Sequence, residues 1–151
     1  MTHDTSDVEF DAEGVTLRGT FFSAAEVGEP KPCVVMAHGW AGEVTHFIDD
    51  FANVFAAAGI SALAYDHRGW GNSDVGAGKP RHESEPWEQI RDYQHAISYV
   101  QNRPDVDPDR IGVWGSSFSQ ATLSWWPPST GALRRWSVRR RSSVGSESFR
   151  A

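Results

Sequence analysis

Apolar and polar residues alternate near the start of the chain, in the stretch VEFDAEGVTLRGTFF. A period of two is typical of a strand with one buried face, and the AEG interruption is typical of a tight turn. We therefore predict a β-hairpin with strands near Val8–Phe10 and Val15–Phe22 and a turn at Ala12–Gly14.

Three continuous apolar runs follow, and each predicts a strand that is buried on both faces. They lie at Cys33–His38, Ile60–Asp66 and Ile111–Trp114. Residues 46–58 and 86–102, which separate them, have helical periodicity. The faces that this spacing predicts to be buried consist of Phe47, Phe51, Val54 and Phe55 in the first helix, and Ile90, Tyr93, Ile97 and Val100 in the second. Gly59 and Pro104 mark the ends of the two helices.

This order of elements, a β-hairpin and then parallel strand–helix–strand–helix–strand, predicts an α/β fold. Each apolar run ends in a polar or glycine-rich turn: HGWAGE, DHRGWGNSD and GSSFSQ. Functional groups in such folds lie beyond the carboxyl ends of the parallel strands. We therefore expect the three turns to meet at one edge of the sheet and to carry the chemistry.

Ser117 lies in the last of these turns, Gly115-Ser116-Ser117-Phe118-Ser119. Small residues two places before and after a serine, following a buried strand, are typical of a nucleophile elbow, since larger side chains would clash with the strand and helix. We interpret Ser117 as the nucleophile and the backbone N–H of Phe118 as an oxyanion donor. The alternative is an ordinary serine-rich loop.

His38, Gly39 and Trp40 end the first apolar run. All six histidines of the chain precede Ser117, whereas an elbow of this type is followed by its acid and then its histidine. We therefore interpret His38 as orienting the turn, Gly39 as permitting close approach, and the Trp40 N–H as the second oxyanion donor. A plain core histidine is the alternative.

Two other features have structural interpretations. The segment from Asp66 to Asp74 lacks the spacing of a dinucleotide or phosphate loop, so we expect a convoluted turn in which Arg68 and Asp74 form internal ion pairs. Cys33 is the one cysteine, which excludes an internal disulfide. It begins a strand far from the carboxyl edge, so we expect a buried, inert thiol.

Charge divides the chain into two parts. Of the formal net charge of −6, residues 1–120 contribute −11 and residues 121–151 contribute +5, with six arginines and no lysine. The polar, acidic N-terminus has no apolar core of a signal peptide, and no run of 18 apolar residues occurs. A cytoplasmic, soluble protein is therefore expected.

VVMAHGW, ALAYDHRGWGNSD and DRIGVWGSSFS, in this order, resemble the N-terminal half of an α/β-hydrolase, closest to dienelactone hydrolases and Xaa-Pro dipeptidyl-peptidase-like serine hydrolases. The resemblance covers about residues 8–119. It implies hydrolysis of small ester or amide substrates by Ser117, without metal or organic cofactor, and with no nucleic-acid or membrane partner. The family's acid and histidine lie on later strands, and no residues here match them.

The last segment, residues 120–151, departs from that family. Its Arg, Ser and Trp bias and the Pro127-Pro128 pair indicate a frameshifted or poorly ordered tail. The strand Ile111–Trp114 would then lie at an exposed edge of the sheet. The chain is accordingly expected to be an inactive partial hydrolase. The alternative is a non-catalytic binding module whose basic arm contacts anionic partners.

Overall fold

The computed structural model describes residues 4–24, 28–40, 42, 47–125 and 134–137. Six strands in these ranges form one sheet in the order β1-β2-β4-β3-β5-β6. The elements are β1 (Thr5–Ala12), β2 (Val15–Phe22), β3 (Lys31–Ala37), α1 (Ile48–Ala57), β4 (Ser61–Tyr65), α2 (Pro86–Gln101), β5 (Val106–Gly115), α3 (Phe118–Trp125) and β6 (Arg134–Ser137). The predicted α/β fold is confirmed.

The hairpin of β1 and β2 turns within the predicted Ala12–Gly14 segment, through the two residues Glu13 and Gly14. Ala12 pairs with Val15, and Glu13 and Gly14 between them have φ of 58° and 82°. Positive φ at both central positions gives the twist that a two-residue hairpin turn requires. The Asp11 carboxylate accepts a hydrogen bond from the Gly14 N–H at 3.1 Å, which further fixes the turn.

The three apolar runs form neighbouring parallel strands, with β3 in the centre. Val35 of β3 pairs with Leu63 of β4 on one side and with Val113 of β5 on the other. The chain passes from β3 to β4 in one direction and then crosses β3 to reach β5. This reversal leaves a crevice at the carboxyl ends of β3 and β5, where ligands of open α/β sheets bind.

Helix α2 buries the face that its spacing predicted, but α1 does not. The buried residues of α1 are Ile48, Ala52 and Ala56. Of the residues predicted to be buried, Phe47, Phe51 and Val54 have exposed side chains and Phe55 is partly buried against the core. The small side chains of Ala52 and Ala56, opposite Ala62 and Ala64 of β4, let the helix lie close to the sheet. The bulkier residues therefore turn outward.

The prediction that Ile111–Trp114 forms an edge is wrong. Strand β6 pairs in parallel with β5, from Gly112 opposite Arg134 to Gly115 opposite Ser137. Backbone pairing of this kind needs no apolar run, so the sequence pattern gave no sign of it. Residues 126–133 and 138–151 of the predicted tail lie outside the described residues.

Helix α3 crosses the boundary that the change in composition predicted at residue 120. It continues to Trp125, and both Thr122 and Leu123 are buried. Leu123 packs into the same apolar cluster as α2. Residues 120–125 therefore belong to the fold. Within the described residues, none of the three helices has the length and apolarity needed to cross a bilayer.

Candidate active site

The three turns that follow β3, β4 and β5 meet at one edge of the sheet, as predicted. We call His38-Gly39-Trp40, after β3, the oxyanion turn, and residues 115–119, after β5, the elbow. Because β3 and β5 are adjacent, these two turns lie side by side at the crevice. The turn after β4 lies on the other side of β3.

Ser117 has the backbone conformation of a nucleophile elbow. Its φ is 52°, a value that residues other than glycine rarely adopt, and it is exposed between the end of β5 and the start of α3. A Cβ at Gly115 would lie 2.8 Å from the backbone nitrogen of Gln120 and 2.9 Å from the carbonyl carbon of Ser119. The small-residue spacing therefore reflects real crowding where the strand turns into the helix.

Gly39 brings the oxyanion turn against the elbow. A Cβ at this position would lie 2.8 Å from the carbonyl oxygen of Ser116 and 3.1 Å from the Cβ of Ser117. A side chain here would push the two turns apart. The predicted reason for this glycine, close approach, agrees with these distances.

The two predicted oxyanion donors lie on facing turns. The rings of Trp40 and Phe118 meet edge to face, with centroids 5.0 Å apart. Among the described residues, no acceptor takes the backbone N–H of either one. Phe118 is also the first residue of α3, whose N-terminal end carries a partial positive charge.

His38 has both ring nitrogens engaged within the fold. Its Nδ1 lies 2.8 Å from the carbonyl oxygen of Gly39, which can only accept, so Nδ1 carries the proton. Its Nε2 accepts a hydrogen bond from the backbone N–H of His67 at 3.2 Å. The ring is buried beneath the turn. Both ring nitrogens are thus already in contact with other groups, as expected for a histidine that orients the oxyanion turn.

Sequence reasoning missed a buried polar cluster directly behind the site. It contains His67 from the turn after β4, Asp92 from α2 and Ser119 from the elbow, all fully buried. His67 Nε2 lies 3.4 Å from Ser119 Oγ, and His67 Nδ1 lies 3.4 Å from Asp92 Oδ2. The signal for Asp92 was present as a charged residue next to the apolar face of α2.

Asp92 is ionised within this cluster. Burial acts to raise the pKa of its carboxyl group, but the His67 ring and then the Arg68 guanidinium outweigh burial and hold that pKa below its usual value. Arg68 donates to Asp92 from its backbone N–H at 3.0 Å and from Nε at 2.7 Å. These charge-assisted hydrogen bonds fasten the turn after β4 to α2.

The expected internal ion pairs of the Asp66–Asp74 segment are wrong. Arg68 pairs with Asp92 of α2 and with Glu13 of the hairpin turn, whereas Asp74 pairs with Arg18 of β2. The ion pairs of Arg68 and Asp74 therefore join the loop to neighbouring elements, while hydrogen bonds within the segment, such as that from the Asn72 N–H to the Asp66 carboxylate at 3.1 Å, also hold its shape.

Cys33 is buried, as predicted. Burial raises the pKa of its thiol to about 12, so the thiolate is scarce at physiological pH. Its position at the start of β3 is far from the crevice. The geometry therefore leaves Ser117 as the candidate nucleophile of this edge.

No histidine of the described residues reaches the Ser117 hydroxyl. His38 and His67 are committed to the contacts given above. The site thus combines a strained, exposed serine with the backbone N–H groups of Trp40 and Phe118, which have no acceptor among the described residues. The proton acceptor that would activate the serine is not found among the described residues.

Comparison with known proteins identifies relatives over most of the chain. The family model for serine aminopeptidase, S33, matches residues 28–118. A thiohydrolase of Aspergillus aculeatus is 41% identical over 118 residues, covering 78% of this chain and 35% of that protein. An acyltransferase of Aspergillus calidoustus is 40% identical over 114 residues, covering 75% and 35%. The structure of an α/β hydrolase of Penicillium sp. sh18 superposes with a TM-score of 0.68 and 33% identity, covering 74% of this chain and 37% of that one. The chain spans about a third of the length of these relatives.

Proposed function

The chain belongs to the serine aminopeptidase S33 family of α/β-hydrolases, and we propose that it carries the nucleophile and oxyanion donors of a serine hydrolase acting on ester or amide bonds. The observation that carries this proposal is the exposed Ser117 with φ of 52° at the crevice between β3 and β5. The related thiohydrolase and acyltransferase support acyl transfer more generally, so thioesters are further candidate substrates.

In the proposed reaction, the Ser117 hydroxyl oxygen bonds to the substrate carbonyl carbon while its proton passes to a base. The carbonyl electron pair moves to oxygen, and the N–H groups of Trp40 and Phe118 bind the resulting oxyanion. Collapse of this intermediate expels the alcohol, thiol or amine and leaves an acyl-Ser117 ester, which water then hydrolyses. The exposed Trp40 ring beside the serine offers an apolar wall for the acyl group.

The lack of a candidate base among the described residues limits the hydrolase activity expected of this chain. Every histidine in the sequence precedes Ser117, and the two that lie nearest the site, His38 and His67, are engaged in other contacts. Loss of the histidine from a serine triad lowers turnover by about a million-fold, with a residual rate from the oxyanion donors and binding. We therefore propose that this 151-residue chain has at most trace hydrolase activity.

A fluorophosphonate probe tests the nucleophile, because it bonds to an accessible serine and places an oxygen where the oxyanion would form. We expect slow labelling that mass spectrometry maps to Ser117, and trace turnover of nitrophenyl acetate. Ser117→Ala abolishes the labelling. Ser116→Ala, a change at the neighbouring serine, is the matched control and retains it.

Two outcomes would contradict this proposal. Labelling that persists in Ser117→Ala, or its complete absence from the folded wild-type chain, would favour the alternative of a non-catalytic binding module. Robust turnover that Ser117→Ala removes would keep the nucleophile but show that a residue of this chain serves as base.

A further inference from the structure

Ser119 makes a contact that its place in the elbow does not require. The elbow needs only a small residue here, and alanine or glycine would meet that need. Ser119 instead carries a hydroxyl group that is fully buried. A buried hydroxyl without a partner costs free energy, but the Ser119 hydroxyl donates a hydrogen bond to the backbone carbonyl of His38. This bond joins the elbow directly to the oxyanion turn.

The proton positions around Ser119 follow from that bond. Because its single O–H points at a carbonyl, the Ser119 oxygen can only accept from His67 Nε2, 3.4 Å away. The His67 ring thus lies within hydrogen-bond distance of Ser119. Its Nδ1 faces the Asp92 carboxylate at 3.4 Å and the Tyr65 hydroxyl at 3.5 Å, so the ring is held on both sides.

The oxyanion turn contains two peptide groups, and each has its carbonyl fixed. The first, between His38 and Gly39, is held by the Ser119 hydroxyl. The second, between Gly39 and Trp40, has its carbonyl 2.8 Å from His38 Nδ1 and 3.2 Å from the N–H of Gly42. In a trans peptide the C=O and N–H point in opposite directions. Fixing the Gly39 carbonyl therefore fixes the direction of the Trp40 N–H.

Gly39 is the residue of the oxyanion turn whose backbone can rotate most easily. A residue without a Cβ lets the peptides on either side rotate, and a rotated Gly39–Trp40 peptide would present a carbonyl instead of an N–H. The close approach to Ser116 excludes any larger residue at this position. The turn needs glycine for packing and therefore needs another restraint on its peptides.

We propose that Ser119 is a positioning residue: by holding the His38–Gly39 peptide it fixes the start of the oxyanion turn, from which the His38 ring and the Gly42 N–H hold the Gly39 carbonyl and so the direction of the Trp40 N–H. His67 and Asp92 support it by holding the buried ring against the Ser119 oxygen. This role rests on the proposed function of Ser117, because it concerns the donor that would serve that serine. In this role the Ser119 hydroxyl contributes indirectly to transition-state stabilisation.

The test compares Ser119→Ala with Thr122→Val in the full chain. Both changes remove a buried hydroxyl from α3, but Thr122 Oγ1 bonds only within the helix, to the carbonyl of Phe118 at 3.0 Å. The first readout is the rate of fluorophosphonate labelling at Ser117. Loss of an oxyanion donor costs about a hundredfold to a thousandfold in rate, and a donor that is merely loosened costs less, so we expect about a tenfold to hundredfold slower labelling in Ser119→Ala. Thr122→Val should label at the wild-type rate.

The second readout requires no reaction. In ¹³C- and ¹⁵N-labelled protein, Ser119→Ala should shift the carbonyl resonance of His38 and the amide resonance of Trp40, whereas Thr122→Val leaves both in place. Unchanged resonances in Ser119→Ala would overturn the proposal even if the wild type proved unreactive. An unreactive wild type with shifted resonances would instead refute the catalytic assignment and leave the restraint standing.

Wild-type labelling matched by Ser119→Ala would also overturn the proposal. If Ser119→Ala does not fold, the proposal is tested by a measurement on the wild-type protein alone. A slowly exchanging Ser119 hydroxyl proton with a scalar coupling to the His38 carbonyl carbon supports the restraint, and a rapidly exchanging one contradicts it.

Discussion

The carboxylate of Asp92 is the charge on which the buried cluster depends. It is fully buried, and Arg68 contacts it through the backbone N–H at 3.0 Å, Nε at 2.7 Å and Nη2 at 2.6 Å. His67 Nδ1 lies 3.4 Å from it. The side chain of Arg68 is itself only 10% exposed, so solvent screens the pair weakly. Asp92→Asn removes the charge while nearly preserving the shape.

The expected loss of stability follows from these contacts. Removing one partner of a buried ion pair leaves the other charge uncompensated and costs about 3–5 kcal/mol. An asparagine oxygen still accepts one of the hydrogen bonds, which is worth about 1 kcal/mol as a neutral bond. We therefore expect Asp92→Asn to lower the free energy of unfolding at neutral pH by about 3 kcal/mol.

Urea unfolding followed by tryptophan fluorescence measures this loss. Asp105→Asn is the matched control, because Asp105 pairs with Arg103 at 2.8 Å but is 44% exposed. An exposed pair contributes about 0–1 kcal/mol, so the control should unfold close to the wild type. A loss in Asp92→Asn no larger than that of Asp105→Asn would refute the ion pair as the support of this cluster.

The pH dependence gives an independent check. Since the pKa of Asp92 is lower in the folded protein than in the unfolded chain, its contribution is complete above the unfolded pKa of about 3.9 and is lost as pH falls through the folded pKa. The wild type should therefore lose this stabilisation below about pH 4. Asp92→Asn should show a flatter acid limb, and two parallel acid limbs would contradict the assignment.

Three further changes test the fold and the site. Gly39→Ala should destabilise the chain by about 1–3 kcal/mol and slow labelling of Ser117, because its Cβ would lie 2.8 Å from the Ser116 oxygen. The control Gly76→Ala, whose Cβ would have its nearest contact at 3.6 Å, should do neither. Equal losses of stability in urea unfolding would contradict the close approach at Gly39. Ile48→Ala should lower the free energy of unfolding by about 2–5 kcal/mol, and the exposed Val54→Ala by less than about 0.5 kcal/mol, in the same assay. The reverse order would indicate that α1 buries the face that the sequence predicted. Burial raises the pKa of the Cys33 thiol to about 12, so Ellman's reagent should react with it only after unfolding in urea, and rapid reaction of the native chain would refute its burial.

Features encoded by neighbouring residues were predictable from the sequence. The parallel strands follow from continuous apolar runs, the hairpin turn from Glu13-Gly14, and the conformation of Ser117 from small residues two places away. In each case the physical cause lies within a few residues of its effect. Periodicity predicted the wrong buried face for α1. The prediction favoured the large apolar residues, whereas the small Ala52 and Ala56 face the sheet and permit a closer approach to it.

Long-range partners were not predictable in this way. Nothing local indicates that Arg68 pairs with Asp92, that Asp74 pairs with Arg18, or that β6 lies beside β5. Each depends on which elements the fold brings together. The predicted tail illustrates the same limit, because its composition suggested a boundary at residue 120 that α3 crosses. The origin of the remaining residues stays a prediction, which sequencing the DNA beyond the Ser119 codon would test.

The contacts that hold the oxyanion turn all come from a chain that spans about a third of its relatives' length. The restraints on the oxyanion turn come from the turn itself, from the turn after β4 and from the elbow, with Asp92 of α2 behind them. All of these lie within residues 37–119. The base has no counterpart among the described residues. If the proposed function holds, oxyanion stabilisation and proton transfer are separable in this chain, and the labelling rate of Ser117 would report on oxyanion geometry with the contribution of a histidine base removed.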